Sequence, residues 1–219
     1  MRAALPRGGL DRGALHEIAP ASNGDGPAAL GFVAALSARG LADTEGAALL
    51  VASAGSLSGS GRLDGHGLNG LGLDPGRLVL VEAEADRDAL WALEESLRSR
   101  SLAVVAGFLG SGIALKASRR LQLAAAGSGA LLLALRPTEA NEVNAATTRW
   151  RVGAAPAERD RLGCFGRFRW RLSLERCRNG RLGAWIVEWD GETRGFRLVE
   201  AMAGGASPHA NAGGRRRAG

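Results

Sequence analysis

A chain of 219 residues with 46% apolar content suits one domain with a sizeable core and room for a small appendage. No stretch approaches the roughly 18 uninterrupted apolar residues of a membrane span, and the opening MRAALPRGGL lacks an apolar signal core, so the expectation is a soluble, cytoplasmic protein, with nucleoid association open and no membrane partner. The net charge of +6 and the pI of about 10.9 rest almost wholly on arginine, since Lys116 is the single lysine among 28 basic residues, a balance that permits nucleic-acid contact without specifying it.

Residues 1–12 read as a short, turn-rich lead-in, followed by a core over 13–156. Within it, residues 15–36 (LHEIAPASNGDGPAALGFVAAL) have the layout of a buried strand, a glycine-bearing loop and a helix. A working phosphate loop needs G-x-x-x-x-G-K-[ST], with a lysine for the phosphates and a hydroxyl for Mg²⁺. Here the loop Ser22, Asn23, Gly24, Asp25, Gly26 puts a carboxylate where the lysine belongs, and that charge repels a triphosphate. The loop is therefore expected to hold the fold together without binding nucleotide. Pro27 opens the helix, where its missing N–H costs nothing, and Leu30, Val33 and Leu36 give it an apolar face.

The apolar run 47–52 predicts a second strand beside the first. Glycines throughout 55–72 allow one short helical turn at most. A third strand follows at 77–82. Asp86 is placed to cap the next helix, with Leu90, Leu93 and Leu97 buried, Glu94 and Glu95 facing water, and Trp91 packed at the edge of the stripe. A strand at 102–107, a helix at 114–126 and a strand at 130–135 complete an alternation that argues for a mostly parallel sheet flanked by helices, an α/β fold. After a polar loop, 148–152 predicts one more strand. Cys164 and Cys177 lack metal-ligand companions at CxxC spacing and read as reduced thiols. The segment 157–203 reads as an antiparallel hairpin appendage: 167–176 alternates, Asn179 and Gly180 turn, and 184–189 returns. It concentrates Phe168, Trp170, Trp185 and Trp189, which either close the edge of the core or leave part of an aromatic face open to a partner. Trp185 and Trp189 are the partner-contact candidates. The Gly- and Ala-rich tail 204–219, ending in arginines, has no core-forming pattern and is expected to be disordered.

The words PRGGLDRGALHEI, LGLDPGRLVLVEA, DALWALEESLRS, ASRRLQLAA, TRWRV and AWIVEW resemble the ImuA family of accessory proteins from bacterial translesion mutagenesis cassettes, a family similar to the RecA-type recombinase core. The resemblance implies a RecA-like core with its catalytic parts missing. Asp25 and Gly26 stand where a recombinase has Lys and Thr, Ala106 and Gly107 where a Walker-B carboxylate would hold Mg²⁺, and Ser53, Ala54 and Gly55 where an acid would polarise water. Without clamp, metal ligand or base, phosphoryl transfer lacks electrostatic support, so no catalytic residue, metal or cofactor is expected. The implied role is a non-catalytic one in the SOS response to DNA damage. The implied partners are the polymerase-like subunit of the cassette, an error-prone polymerase and the recombinase. The lead-in leaves no room for a filament-building segment, so self-filamentation is not expected. The nearest positive cluster, Lys116, Arg119 and Arg120, is the candidate for weak DNA contact, against the alternative of a solvated helix face. Rival readings are a DNA-dependent ATPase and a single-stranded-DNA-binding module, the latter short of exposed aromatic residues on a basic face. A relation to cell-division inhibitors, also proposed for the family, has no separate support in these residues.

Overall fold

The computed structural model describes residues 9–58, 61–140, 142–158, 166–178 and 180–202. Most of the lead-in, Cys164, the Asn179 position of the turn and the tail 204–219 lie outside the described residues.

Unbroken apolar runs become strands covered on both faces. The strand β1 (Ala14–Pro20) is buried at every position and lies between two parallel neighbours, β5 (Leu131–Leu135) and β6 (Thr148–Ala154). Outward from β5 come β4 (Leu102–Phe108), β2 (Ala47–Ser53) and β3 (Leu78–Ala83), all parallel. Outward from β6 come β7 (Arg169–Cys177), β8 (Gly183–Asp190) and β9 (Gly195–Met202), all antiparallel. One nine-stranded sheet results, ordered β3-β2-β4-β5-β1-β6-β7-β8-β9. The C-terminal antiparallel unit thus has three strands and continues the parallel sheet through the β6–β7 pairing. The expectation that the second strand lies beside the first is corrected, because β4 and β5 stand between them.

The cause of that wide crossover is the helix α1 (Gly26–Ala42). Residues 32–38 are buried without a break, so the helix has no solvent face along its middle and must be covered on more than one side. It lies across the sheet against β4, β5, β1 and β6, and delivers the chain to the far side. Small residues make the close approach possible: a Cβ on Gly40 would stand 2.7 Å from Val104 Cγ2. The antiparallel strands then curl around the same helix. Phe32 meets the ring of Trp170 edge-on at 5.6 Å and that of Phe196 at 5.5 Å, and Trp170 Nε1 donates to Ala28 O at 2.8 Å. Among the described residues, the short helix α2 (Gly65–Gly70), which buries Leu68, is the one helix in the glycine-rich segment.

The opposite face of the sheet carries α3 (Asp86–Ser99) and α4 (Leu115–Ser128), packed over Leu15, Leu49, Val51, Val105 and Leu132 through Leu93, Leu97 and Leu121. Three expectations for α3 are corrected. Ala85, not Asp86, is the N-cap, and Asp86 stands in the first turn with its carboxylate turned toward neighbouring loops. Glu94 is buried because Arg98 and Arg120 close over it. Trp91 is 64% exposed.

Candidate functional site

The loop after β1 is short and closed. Ala21 N–H donates to Val152 O at 2.8 Å, and Asn23–Asp25 form one 3-10 turn that runs straight into α1. No residue of this loop takes a positive φ, so its amides lack the alternating αR–αL arrangement that cradles an anion. Asp25 fills the place instead. Its Oδ2 accepts from Ser22 Oγ at 2.7 Å and its Oδ1 from Ala154 N–H at 2.9 Å. A negative charge thus already stands at the N-terminus of α1, tied to the end of β6. The residues Ser22, Asn23, Gly24, Asp25 and Gly26 are brought together, as a turn rather than a cradle.

The other positions singled out by the sequence resemblance, Ala106, Gly107 and Ser53, lie in packed surroundings. Ala106 is buried, and a Cβ on Gly107 would stand 2.6 Å from Leu93 Cδ1. At the end of β2, Ser53 Oγ donates to Asp86, which also accepts from Ser111 Oγ and from Gly110 N–H at 2.9 Å. Burial pushes the Asp86 pKa up, but the hydrogen bonds from Ser111, Ser53 and Gly110 outweigh it and hold the carboxyl below its ordinary value. This clasp joins β2, α3 and the loop after β4. Sequence spacing gives no sign of it, because its members are far apart in the chain.

A second polar centre lies under the loop between β5 and β6. Glu17 is fully buried and accepts from Arg149 Nε at 2.7 Å and Asn144 Nδ2 at 2.5 Å, with Arg136 Nε 3.3 Å away. Burial lowers the Arg136 pKa, and Arg149 and Arg151 add to that against the pull of Glu17. Arg136 and Arg149, basic residues at the two ends of the loop, therefore turn inward to pin it on β1.

A cavity of about 770 Å³ lies at the ends of β2 and β3, lined among others by Ser53, Leu57, Leu63 and Leu80 and crossed by an Arg62–Glu82 ion pair. It stands apart from the loop after β1, with β4 and β5 between. Among the described residues no group of His, Cys, Asp or Glu could hold a metal ion, and no helix is long and apolar enough to cross a membrane.

Lys116, Arg119 and Arg120 share the exposed side of α4, but Arg120 is bonded to Glu94. The partner-contact candidates are corrected: Trp185 and Trp189 are 7% and 2% exposed, because that face of β8 turns toward α1. Trp185 packs on Trp150 and Trp189 on Phe196. Of the four rings, Phe168 is the exposed one, stacked on Trp170.

These features define a mixed α/β protein with a mostly parallel sheet, in which the loop after β1 is closed by the Asp25 carboxylate. No family model matches the chain. The ImuA proteins of two strains of Caulobacter vibrioides, NA1000 and ATCC 19089, are each 36% identical to it over 217 residues, spanning 91% of this chain and 85% of the relative. The chain belongs to the ImuA family, and with that membership goes a role in DNA-damage-induced mutagenesis. The crystal structure of SulA from Pseudomonas aeruginosa is a partial likeness, with a TM-score of 0.43 and 24% identity over 56% of this chain and 97% of that one.

Proposed function

We propose that this protein is a non-catalytic accessory factor of translesion mutagenesis, with a RecA-like core that acts through protein contacts with the mutagenic polymerase components and the recombinase. The observation that carries the reading is Asp25. Its carboxylate holds the start of α1 and the end of β6, at the place where an active enzyme would hold a nucleotide phosphate. Gly107, filled by Leu93, and Ser53, bonded to Asp86, support the same reading at the metal and base positions.

Thermal unfolding with ATP and Mg²⁺ tests it. A ligand at 100 times its dissociation constant adds about 2.7 kcal/mol, which a melting curve registers readily. The expected result is an unchanged melting temperature and no phosphate release, with or without single-stranded DNA. An upward shift accompanied by DNA-stimulated phosphate release would establish the ATPase reading in its place.

A further inference from the structure

We propose that the seam between α3 and α4 is the docking surface for an acidic partner segment that carries large apolar side chains. The proposal rests on the protein-contact reading above and gives that contact a place and a chemistry. Both helices return from parallel strands, so they run in the same direction, and the Glu94–Arg120 ion pair fixes their register. One turn earlier on α3 stands Trp91, and one turn earlier on α4 stands Lys116. One turn later stand Arg98 and Leu123. The seam therefore presents, level by level, an indole beside an ammonium, a closed ion pair, and a guanidinium beside a leucine.

Two features of the seam call for a partner. Trp91 and Leu123 are 64% and 73% exposed, on a fold that buries its other four tryptophans. The seam also lacks free anions. Glu94 is closed over by Arg98 and Arg120, and Glu95 is bonded to Arg98, whereas Lys116 and Arg119 have no hydrogen bond or ion pair among the described residues. The helix α4 has no acidic residue anywhere, and it begins without a capping side chain and with Lys116 in its first turn. The negative charge near its positive end comes from the loop residue Glu142, whose carboxylate lies against Gly112, and further carboxylates supplied from outside would be stabilised beside Lys116 and Arg119. Charge complementarity sets the sign of the partner, and the exposed indole and leucine set its apolar content. A nucleic-acid backbone would use the cations and one stacked base but would gain nothing from Leu123.

The test uses three fluorescent probes with the full chain: a 16-residue Glu-rich peptide with Leu and Phe at helical spacing, the same peptide with those residues replaced by Ser, and a 20-nucleotide oligo-dT. Anisotropy should show binding of the first peptide, about tenfold weaker binding of the second, and loss of about tenfold with Leu123→Ser, Trp91→Ala or the pair Lys116→Glu and Arg119→Glu. All four positions are solvent-exposed, and circular dichroism checks that each variant is folded. The proposal is overturned if the two peptides bind alike, if the variants bind like the parent, or if oligo-dT binds more tightly than the peptide and loses that binding in the same variants. ATP turnover, measured on the same samples, keeps the two readings apart: failure of the seam without turnover leaves the accessory role standing, and turnover with an intact seam overturns that role alone.

Discussion

Asp25 does with a side chain what a phosphate does at the start of many helices, and the effect can be measured at that residue. Asp25→Ala removes the acceptor for Ala154 N–H and Ser22 Oγ, and is expected to cost about 1–2 kcal/mol in urea unfolding. Asp25→Lys should cost at least as much, because it places a cation against the positive helix end, and it should not produce nucleotide binding. His16 offers a second measurement. It is buried on β1, its Nδ1 is 2.8 Å from Thr148 Oγ1 and its Nε2 2.9 Å from Asp11 O. The carbonyl must be an acceptor, so Nε2 carries the proton and Thr148 donates to Nδ1; Thr148 in turn accepts from Trp150 Nε1. Burial lowers the His16 pKa below 6.5, against the smaller opposing pull of Asp11. The unfolded chain then takes up a proton that the folded chain refuses, so this group's contribution is complete above about pH 6.5 and is lost as pH falls below it, at up to about 1.4 kcal/mol per pH unit. Asp86 and Glu188 have depressed pKa values and lose their contributions only as pH falls through their ordinary values of 3.8 and 4.5. Urea midpoints at pH 7.5 and 5.5 therefore isolate the histidine. A flat profile between those values would exclude this account of His16.

At the scale of elements, the strands and helices of the parallel half were legible because each is a continuous apolar run or a 3.6-residue stripe bounded by Gly, Pro or Asp. What was not legible depends on partners remote in sequence. The spacing of Leu30, Val33 and Leu36 marks one face of α1, but Ala34, Ala35 and Ala38 are equally buried, and alanine reveals its burial only through what packs on it. Glu94 looks like a water-facing residue until Arg120 arrives from the next helix. The strand β9 was missed because the pairing of β8 with β9 shifts register between Ile186 and Val187, which breaks the alternation of Phe196 and Leu198 before Ala201. The resemblance sets Gly107 where a Walker-B carboxylate would stand, but the sequence does not show what packs against that position. Leu93 has taken the space, so Gly107→Asp would drive a carboxylate into a leucine on a buried strand. A loss of at least about 3 kcal/mol is expected, without any gain of Mg²⁺ or ATP binding. A stable Gly107→Asp protein with a melting temperature near that of the parent would show that the α3–β4 contact is looser than the geometry says.

At the scale of the whole molecule, the antiparallel strands complete the enclosure of α1, and that makes the division at residue 156 a testable matter. The parallel half by itself would leave Phe32 without Trp170 and Phe196, Ala28 O without the Trp170 indole donor, and Trp150 without Trp185. It would also expose β6, whose free edge is hydrogen-bonded to β7 along its whole length. The C-terminal strands by themselves would expose the rings of Trp170, Trp185 and Trp189 on one face. Neither half can therefore bury its own apolar surface, and the full chain is expected to unfold in a single transition, with calorimetric and van't Hoff enthalpies equal. Trp185→Ala and Trp189→Ala should each cost about 3–5 kcal/mol and lower the melting temperature of the entire protein, including the signal from α3 and α4. A chain ending at residue 156 should lack cooperative unfolding and aggregate through the exposed edge of β6. Two resolved transitions in the full chain, or a truncated chain that melts cooperatively, would mean that α1 is held by the parallel strands alone and that the antiparallel unit is a separable appendage.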